Sequence, residues 1–198
     1  MTDPTRRVLF FALSPVLTAC GSGDWSVNTW GEEYIEEGIP AADFEDGCSA
    51  VFNTFEVEIT QAALLDGNGE IEGEVSAGRF DVTDPGPQQL GTTSVGSTFY
   101  DSARFVIAPA DSDSVHAIGS LTCGADTVTF DWSFDTATTY VCEPEDLNIP
   151  SGGEASTQLT IHGDHFFYDG LEADDAVVRG QAIVDADANA DGEVTLDE

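Results

Sequence analysis

The chain has 198 residues, which is enough for one well-packed domain with an appendage, and its formal net charge is -33. Such an acidic surface argues against nucleic acid and anionic lipid headgroups as partners, because binding them would bring like charges together. The 12 Phe, 4 Tyr and 3 Trp residues argue against a wholly disordered acidic chain, which would be poor in aromatic residues. We therefore predict a folded domain with an acidic surface.

Residues 1–19 have the parts of an export signal. Arg6 and Arg7 form a short basic start, and the apolar run after them is shorter than the roughly twenty residues that a membrane-spanning helix needs. The run ends in the tetrad Leu-Thr-Ala-Cys at Cys20, which closely resembles the lipobox of bacterial lipoproteins. The resemblance implies cleavage before Cys20 and a lipid on its thiol. It also implies a location in the cell envelope, with the chain anchored in a membrane and facing the periplasm or the exterior. The alternative is an ordinary signal peptide.

The body of the chain is predicted to be mainly β. We expect a polar, lipidated tether over residues 20–30 and a strand-rich domain over 31–170. Residues 51–60 and 127–134 alternate apolar with polar side chains, the pattern of half-buried strands. About eight short strands separated by turn signals favour an antiparallel β-sandwich. The inward-facing side chains in these two segments are predicted to be Val51, Phe55, Val57, Ile59, Val128, Phe130, Trp132 and Phe134.

A helix is predicted only near the carboxy-terminal end, over residues 172–187. Acids lie in its first turn, where the helix dipole favours them, while Gly180 weakens it. This helix would lead directly into the last twelve residues, DANADGEVTLDE, and together they form a predicted module over 171–198.

The loop DANADGEVTLDE resembles the calcium-binding loop of the EF-hand family at every constrained position. Ca²⁺ takes six to eight oxygen ligands around a tight bend, and Gly192 occupies the position of that bend. Val194 stands where the family keeps an apolar residue in a short strand that joins paired loops. The ligands that the resemblance implies are Asp187, Asn189, Asp191, Glu193 (through its backbone carbonyl), Thr195 and Glu198. An acidic tail without a specific ion is the alternative.

The resemblance covers only the entering helix and the loop of an EF-hand, because no exiting helix follows Glu198. We therefore expect the natural chain to continue beyond this residue. The dockerin modules of bacterial surface assemblies use a similar loop, but no second copy is visible here.

A second candidate metal site is the segment HGDH, which holds two of the three histidines. His162 and Asp164 would share a face of a strand, and His165 would lie opposite unless Gly163 bends the chain. Imidazole and carboxylate groups suit Zn²⁺ or Cu²⁺, particularly if His116 joins them from another strand. The alternative is that these side chains lie on the solvent face, since Leu159 and Ile161 are expected to face inward.

Three cysteines remain if Cys20 carries a lipid, and an oxidising compartment favours pairing them. If residues 127–134 and 138–142 form a hairpin, Cys142 returns to the turn that holds Cys123. We therefore predict a Cys123–Cys142 disulfide and leave Cys48 unpaired within this sequence.

No nucleophile elbow, phosphate-binding loop or dinucleotide fingerprint is present, so the sequence offers no argument for an enzyme. Residues 29–198 resemble the uncharacterised EF-hand lipoproteins of predatory soil and marine bacteria, through WGEEYIEEGIP, LTIHGDHFFYDGL and the calcium loop. A fainter similarity is to exported copper-binding β-proteins of the MbnP-like family. Two functions stay open: a non-catalytic, lipid-anchored calcium-binding protein with an unknown protein partner, or a copper- or zinc-handling protein that uses HGDH.

Overall fold

The computed structural model describes residues 21–143, 147–170 and 176–198. Its helical segments are α1 (Glu33–Glu36), a 3-10 helix (Asp164–Phe167) and α2 (Gln181–Val184). Its strands are β1 (Ser22–Gly31), β2 (Ser49–Leu65), β3 (Ile71–Val75), β4 (Arg79–Asp81), β5 (Gln88–Gly96), β6 (Ser102–Ile107), β7 (Val115–Cys123), β8 (Asp126–Phe134), β9 (Thr138–Cys142), β10 (Glu154–Ile161) and β11 (Glu193–Val194). The prediction of a mainly β protein is confirmed.

The strands form two sheets that share one apolar core. The smaller sheet has three strands in the order β10-β1-β5, and the larger has eight, running β11-β8-β7-β2-β6-β9 with β3 and β4 also paired to β2. Trp25 of β1 belongs to the same buried cluster as Phe105 of β6 and Phe130 of β8, so both sheets cover that core. Most pairings are antiparallel as expected, but β10 runs parallel to β1 and β11 parallel to β8.

Strand β8 follows its predicted alternation closely. Val128, Phe130 and Trp132 are buried, and Phe134 is partly buried against the core. The intervening side chains face solvent. The period of two is a local property of an extended chain, so the sequence was sufficient to predict which face is buried.

Strand β2 departs from the prediction at its start. Its pairing with β7 shifts register between Phe52 and Thr54, which marks a β-bulge. A bulge inserts one residue and exchanges the two faces on its far side. Val51, predicted to face inward, is therefore 48% exposed, while Phe52 is buried. Beyond the bulge the inward residues are those predicted, Phe55, Val57 and Ile59.

The predicted tether over residues 20–30 is wrong for the part that the structure describes. Ser22–Gly31 is β1, the central strand of the smaller sheet. Trp25 and Val27 are fully buried, and Thr29 is buried with its hydroxyl donating to the backbone carbonyl of Leu159 at 3.2 Å. The segment is rich in glycine and serine, yet two flanking strands satisfy its backbone and its apolar side chains enter the core. Cys20 and residues 1–19, the predicted signal, lie outside the described residues.

The predicted Cys123–Cys142 bridge is also wrong. Cys48 and Cys123 form the disulfide, and Cys142 is an exposed free thiol. The prediction assumed that β8 and β9 form a hairpin. Instead β9 pairs with β6, where Ala103 is opposite Cys142, while β8 pairs with β7. Cys142 is thereby on a strand at the opposite edge of the larger sheet from β8.

The predicted helix over 172–187 is much shorter in the described residues. Residues 176–180 are not helical, and Val178 forms an isolated bridge with Tyr168. The helix begins only after Gly180, whose added Cβ would lie 2.9 Å from the Cβ of Cys48 and 2.9 Å from Leu121. Gly180 therefore lets the chain pass close to the disulfide, and the helix ends after one turn at Val184. Among the described residues, no helix is both long enough and apolar enough to cross a lipid bilayer.

Candidate metal centre

The HGDH segment lies where β10 ends and the 3-10 helix begins. Strand β10 stops at Ile161, with Leu159 buried and Ile161 half-buried against the core, and Gly163 turns the chain into the helix. A Cβ on Gly163 would lie 2.7 Å from Ile35 and 2.8 Å from Phe52, so a larger residue would displace this turn from the core. The bend brings His165 to the same side as His162.

Phe166 and Phe167 attach the 3-10 helix to the larger sheet. Phe167 is 2% exposed, and its ring centroid lies 6.3 Å from that of Phe130 on β8 and 5.3 Å from that of Phe44 in the turn before β2. Phe166 stacks on Phe134 at 5.5 Å with nearly parallel rings. Aromatic packing of this kind contributes about 0.5–1.5 kcal/mol for each pair beyond the buried area. The turn that carries the histidines is therefore anchored to the buried aromatic core.

His162, Asp164 and His165 form a compact cluster. Each offers a ligand atom, and these atoms lie within 4.8 Å of one another. The two imidazole rings stack with centroids 5.1 Å apart and an interplanar angle of 11°. Within the described part of the chain, no other group of three His, Cys, Asp or Glu side chains brings its ligand atoms together in this way.

The carboxylate of Asp164 has two unlike oxygens. Oδ2 accepts a hydrogen bond of 2.8 Å from the hydroxyl of Tyr168. Oδ1 is buried and receives no hydrogen bond. The hydrogen bond to Asp164 raises the pKa of Tyr168 above its ordinary value of 10.0, so Tyr168 stays a neutral donor. A buried carboxylate oxygen without a donor is costly unless a cation compensates it.

Glu32, between β1 and α1, contacts both His162 and the turn at Gly163. Its Oε2 lies 2.9 Å from Nδ1 of His162, and its Oε1 accepts a hydrogen bond of 3.2 Å from the backbone N–H of Gly163. Burial, helped by the nearby Asp164 carboxylate, raises the pKa of Glu32 above 4.5, although His162 and the Gly163 N–H act in the other direction. With Nδ1 of His162 bound to a carboxylate, its Nε2 is the nitrogen that remains for a ligand.

His116, the third predicted ligand source, lies elsewhere. It is on β7, where its Nε2 is 2.7 Å from Asp131 of β8 and its Nδ1 is 3.7 Å from Glu56 of β2. It does not belong to the cluster around His162. The expectation that His116 joins the HGDH segment is therefore wrong, because β7 presents it on the outer face of the larger sheet beside two acids.

The arrangement of the cluster suits a first-row transition metal. Donors bonded to one tetrahedral zinc ion at about 2.0–2.1 Å lie about 3.4 Å apart, so modest rotamer changes would close the 4.8 Å spread. Two imidazoles and one carboxylate are ligands that zinc and copper both accept. Three protein ligands leave one position of a tetrahedral ion open to another molecule.

Sequence reasoning missed Glu32 and Tyr168. Glu32 is 130 residues before His162, and in a chain with 38 acids a single glutamate carries no signal. Tyr168 is four residues after Asp164, a spacing that could have been examined once a helical turn was expected there.

The predicted calcium loop at 187–198 is curled by hydrogen bonds from its own backbone. Oδ2 of Asp187 accepts from the N–H of Gly192 at 3.0 Å, and Oδ1 of Asn189 accepts from that of Asp191 at 2.8 Å. Gly192 has a φ of 84°, as expected for the tight bend, and Ala190 has a φ of 61°. Oε2 of Glu198 accepts from the N–H of Thr195 at 3.2 Å.

The second half of the loop is fastened to the larger sheet. Residues Glu193 and Val194 form β11, which pairs with Thr129 and Phe130 of β8. Val194 is buried, and its carbonyl accepts a hydrogen bond of 3.0 Å from the indole of Trp132. The resemblance assigned Val194 to a strand between paired loops, but here its strand partner is the body of the protein.

Comparison with protein-family models, with curated proteins and with solved structures finds no significant match to this chain.

Proposed function

We propose that this chain is an extracytoplasmic metal-binding protein of non-catalytic type whose principal site holds zinc or copper between His162, Asp164 and His165. The observation that carries the proposal is the buried Oδ1 of Asp164, which has no hydrogen-bond donor and lies beside two imidazoles. A cation would satisfy this oxygen, and the imidazoles favour a transition metal over calcium or magnesium. In this proposal the two sheets form a β-sandwich that serves as the scaffold.

The Glu32 carboxylate supports the same proposal. A histidine that ligates a metal usually donates its other ring N–H to a carboxylate or carbonyl, which sets the tautomer and orients the ring. Glu32 is placed to do this for His162. A pair of exposed histidines that binds no metal would not need a carboxylate to orient one of its rings.

Isothermal titration calorimetry with Zn²⁺ tests the principal site. Excess Mg²⁺ is present so that it suppresses weak binding of zinc to the acidic surface. We expect one tight site per chain. His165→Ala should lower the zinc affinity at least tenfold, while His116→Ala, the matched control on the outer face of the sheet, should leave it unchanged. Tight binding that survives His165→Ala, or that disappears with His116→Ala, would reject this site.

A second proposed site is the loop at 187–198, which would bind Ca²⁺. The specific observation in its favour is that oxygen-bearing side chains curl this loop around the Gly192 bend while β11 holds its far end on β8. An all-oxygen donor set suits calcium. Repulsion among Asp187, Asp191 and Glu198 would then turn into coordination, and calcium would stabilise the carboxy-terminal module against the scaffold.

Thermal unfolding with and without millimolar Ca²⁺ tests the second site. We expect Ca²⁺ to raise Tm more than the same concentration of Mg²⁺ does. Glu198→Gln should abolish most of the difference. Glu193→Gln makes the same charge change at a residue expected to bind calcium only through its backbone carbonyl. This variant should therefore keep the difference in Tm between Ca²⁺ and Mg²⁺. Equal shifts with both ions, or equal loss in both variants, would mean that calcium only screens the acidic surface.

The proposed location is the cell envelope, through a lipid on Cys20. The Leu-Thr-Ala-Cys tetrad supports it, and the Cys48–Cys123 disulfide agrees with an oxidising compartment. Cys20→Ser should move the protein from the membrane fraction to the soluble fraction. Unchanged partitioning of that variant would remove the lipid anchor from the proposal.

A further inference from the structure

A cavity of about 550 Å³ lies between the two sheets, next to the histidine cluster. Its walls come from five strands of the larger sheet and from β10 of the smaller one. Most of the lining is aliphatic or aromatic, and four of the lining side chains are buried: Phe55, Val57, Ile107 and Leu159. A mostly apolar concavity of this size with a few polar groups at one place is the usual form of a small-molecule site.

The polar groups at the edge of this cavity include the metal ligands themselves. His162 and His165 belong both to the cavity lining and to the cluster with Asp164. An ion bound by the cluster would therefore lie at the edge of the cavity. Since three protein ligands leave a coordination position open, a molecule in the cavity could supply the fourth ligand.

The charge around the cavity decides which head group suits it. No arginine or lysine lines it among the described residues. The three described arginines bind elsewhere: Arg79 to Asp113, Arg104 to Gln61 and Arg179 to Glu45. With a net charge of -33, the protein would repel an anion. A divalent ion held by Asp164 and two neutral imidazoles keeps one positive charge at the metal, although the Glu32 carboxylate beside His162 offsets it nearby. What attracts an anionic head group to the edge of the cavity is therefore the open coordination position of the metal.

We propose that the cavity binds a small carboxylic acid with an apolar body, whose carboxylate coordinates the metal while the body is buried between the sheets. This inference rests on the proposed transition-metal site and extends it to a class of ligand. The apolar walls favour a ligand with an apolar body, because binding removes the apolar surface of that body from water. The metal selects the anionic head, so binding of the acid depends on the metal.

Titration calorimetry with octanoate tests the inference on the full chain, in zinc-loaded and metal-free form. Octanoate should bind the zinc-loaded protein at least tenfold more tightly than the metal-free protein. Acetate has the same head without the body, and 1-octanol has the body without the carboxylate, so both should bind the zinc-loaded protein at least tenfold more weakly than octanoate. Val115→Phe fills part of the cavity at a lining residue that is not a member of the cluster, so it should weaken octanoate binding tenfold and change zinc affinity less than twofold.

The outcomes separate this inference from the proposal on which it rests. If zinc binds but octanoate is no tighter than acetate, the cavity takes no acid and the inference is overturned while the metal site stands. If octanoate and octanol bind equally with and without zinc, the cavity is a metal-independent apolar site and the inference is again overturned. Failure of the chain to bind zinc overturns both. The acetate comparison uses the unaltered protein, so the test holds even if Val115→Phe does not fold.

Discussion

The carboxylate of Asp46 accepts a hydrogen bond of 2.8 Å from the backbone N–H of Gly180, 134 residues later in the chain. It also accepts one of 2.8 Å from Gln181 and one of 3.3 Å from Cys48. A residue just before β2 therefore caps the first turn of α2. Helix α2 has no cap from the side chain of its own N-cap residue, so Asp46 links the carboxy-terminal module to the disulfide region.

Asp46→Ala should lower the free energy of unfolding by about 1 kcal/mol, the usual effect of removing an N-cap side chain. Burial would raise the pKa of Asp46, but the backbone N–H groups of Gln181, Gly180 and Cys48 lower it below 3.8. A lowered folded-state pKa means that the folded state binds the proton more weakly. The stabilisation is therefore complete above pH 3.8 and is lost as the pH falls through the folded-state value.

Urea denaturation of wild type and Asp46→Ala between pH 7 and pH 2.5 measures this effect. The difference in free energy of unfolding between the two proteins should be constant near pH 7 and should shrink as the pH falls into the acid range. Asp111→Ala is the matched control, because Asp111 is exposed and forms no side-chain hydrogen bond to the described residues. A difference that does not change with pH would contradict the role of the charged form.

Reduction of the Cys48–Cys123 bond should destabilise the fold. The bond joins residues 75 apart, and closing a loop of this length restricts the unfolded chain by about 4 kcal/mol in the chain-entropy treatment. We expect Cys48→Ser to lower Tm strongly. Cys142→Ser should leave it nearly unchanged, since that thiol is free and exposed. A large loss of Tm in Cys142→Ser would instead support the bridge that was predicted from sequence.

Glu32→Gln should weaken zinc binding by about 10- to 100-fold, the usual effect of removing a carboxylate partner of a metal-bound histidine. The amide keeps the size of the side chain but loses its charge. Glu37→Gln makes the same change on an exposed residue nearby and should leave the affinity unaltered. Titration calorimetry of both variants measures the effect, and equal zinc affinities in the two would argue against Glu32 as the positioning residue for His162.

Gly119→Ala should destabilise the larger sheet. A Cβ at this position on β7 would lie 2.2 Å from the backbone oxygen of Val51 and 2.4 Å from the ring of Phe130. Val51 belongs to the backbone of β2 next to the bulge, and Phe130 is packed in the core, so neither has free space to move into. Overpacking of this kind costs about 1–3 kcal/mol. Gly78→Ala meets no atom within 4 Å and is the control. Chemical denaturation should separate the two variants; similar stabilities would contradict the close approach at Gly119.

Trp132→Phe should loosen the loop at 187–198 from the sheet. The indole N–H donates to the carbonyl of Val194, and a buried acceptor left without its donor costs about 1–3 kcal/mol. The neighbouring N–H of Thr129 donates to the carbonyl of Gly192 at 2.8 Å. Amide hydrogen exchange at Thr129 should therefore become faster in the variant. Unchanged protection of this amide would mean that the strand pairing alone holds the loop.

The sequence was sufficient to predict features that depend on neighbouring residues. The alternation in β8 and the tight bend at Gly192 both depend on backbone geometry within a few positions. The mainly β class follows from the same alternation repeated along the chain. The alternation of apolar and polar residues does not show where a bulge interrupts a strand, so the bulge between Phe52 and Thr54 was not predicted.

Only the tertiary structure decided the contacts between distant residues. The cysteine pairing depended on whether β9 returns to β8 or crosses to β6, and the short connection favoured the wrong choice. The histidine cluster depended on the bend at Gly163, which core contacts with Ile35 and Phe52 impose. Glu32 reaches His162 only because β1 and β10 run side by side. Such contacts depend on which strands pair, and strand pairing is settled by burial of the whole core, a quantity that no local pattern contains.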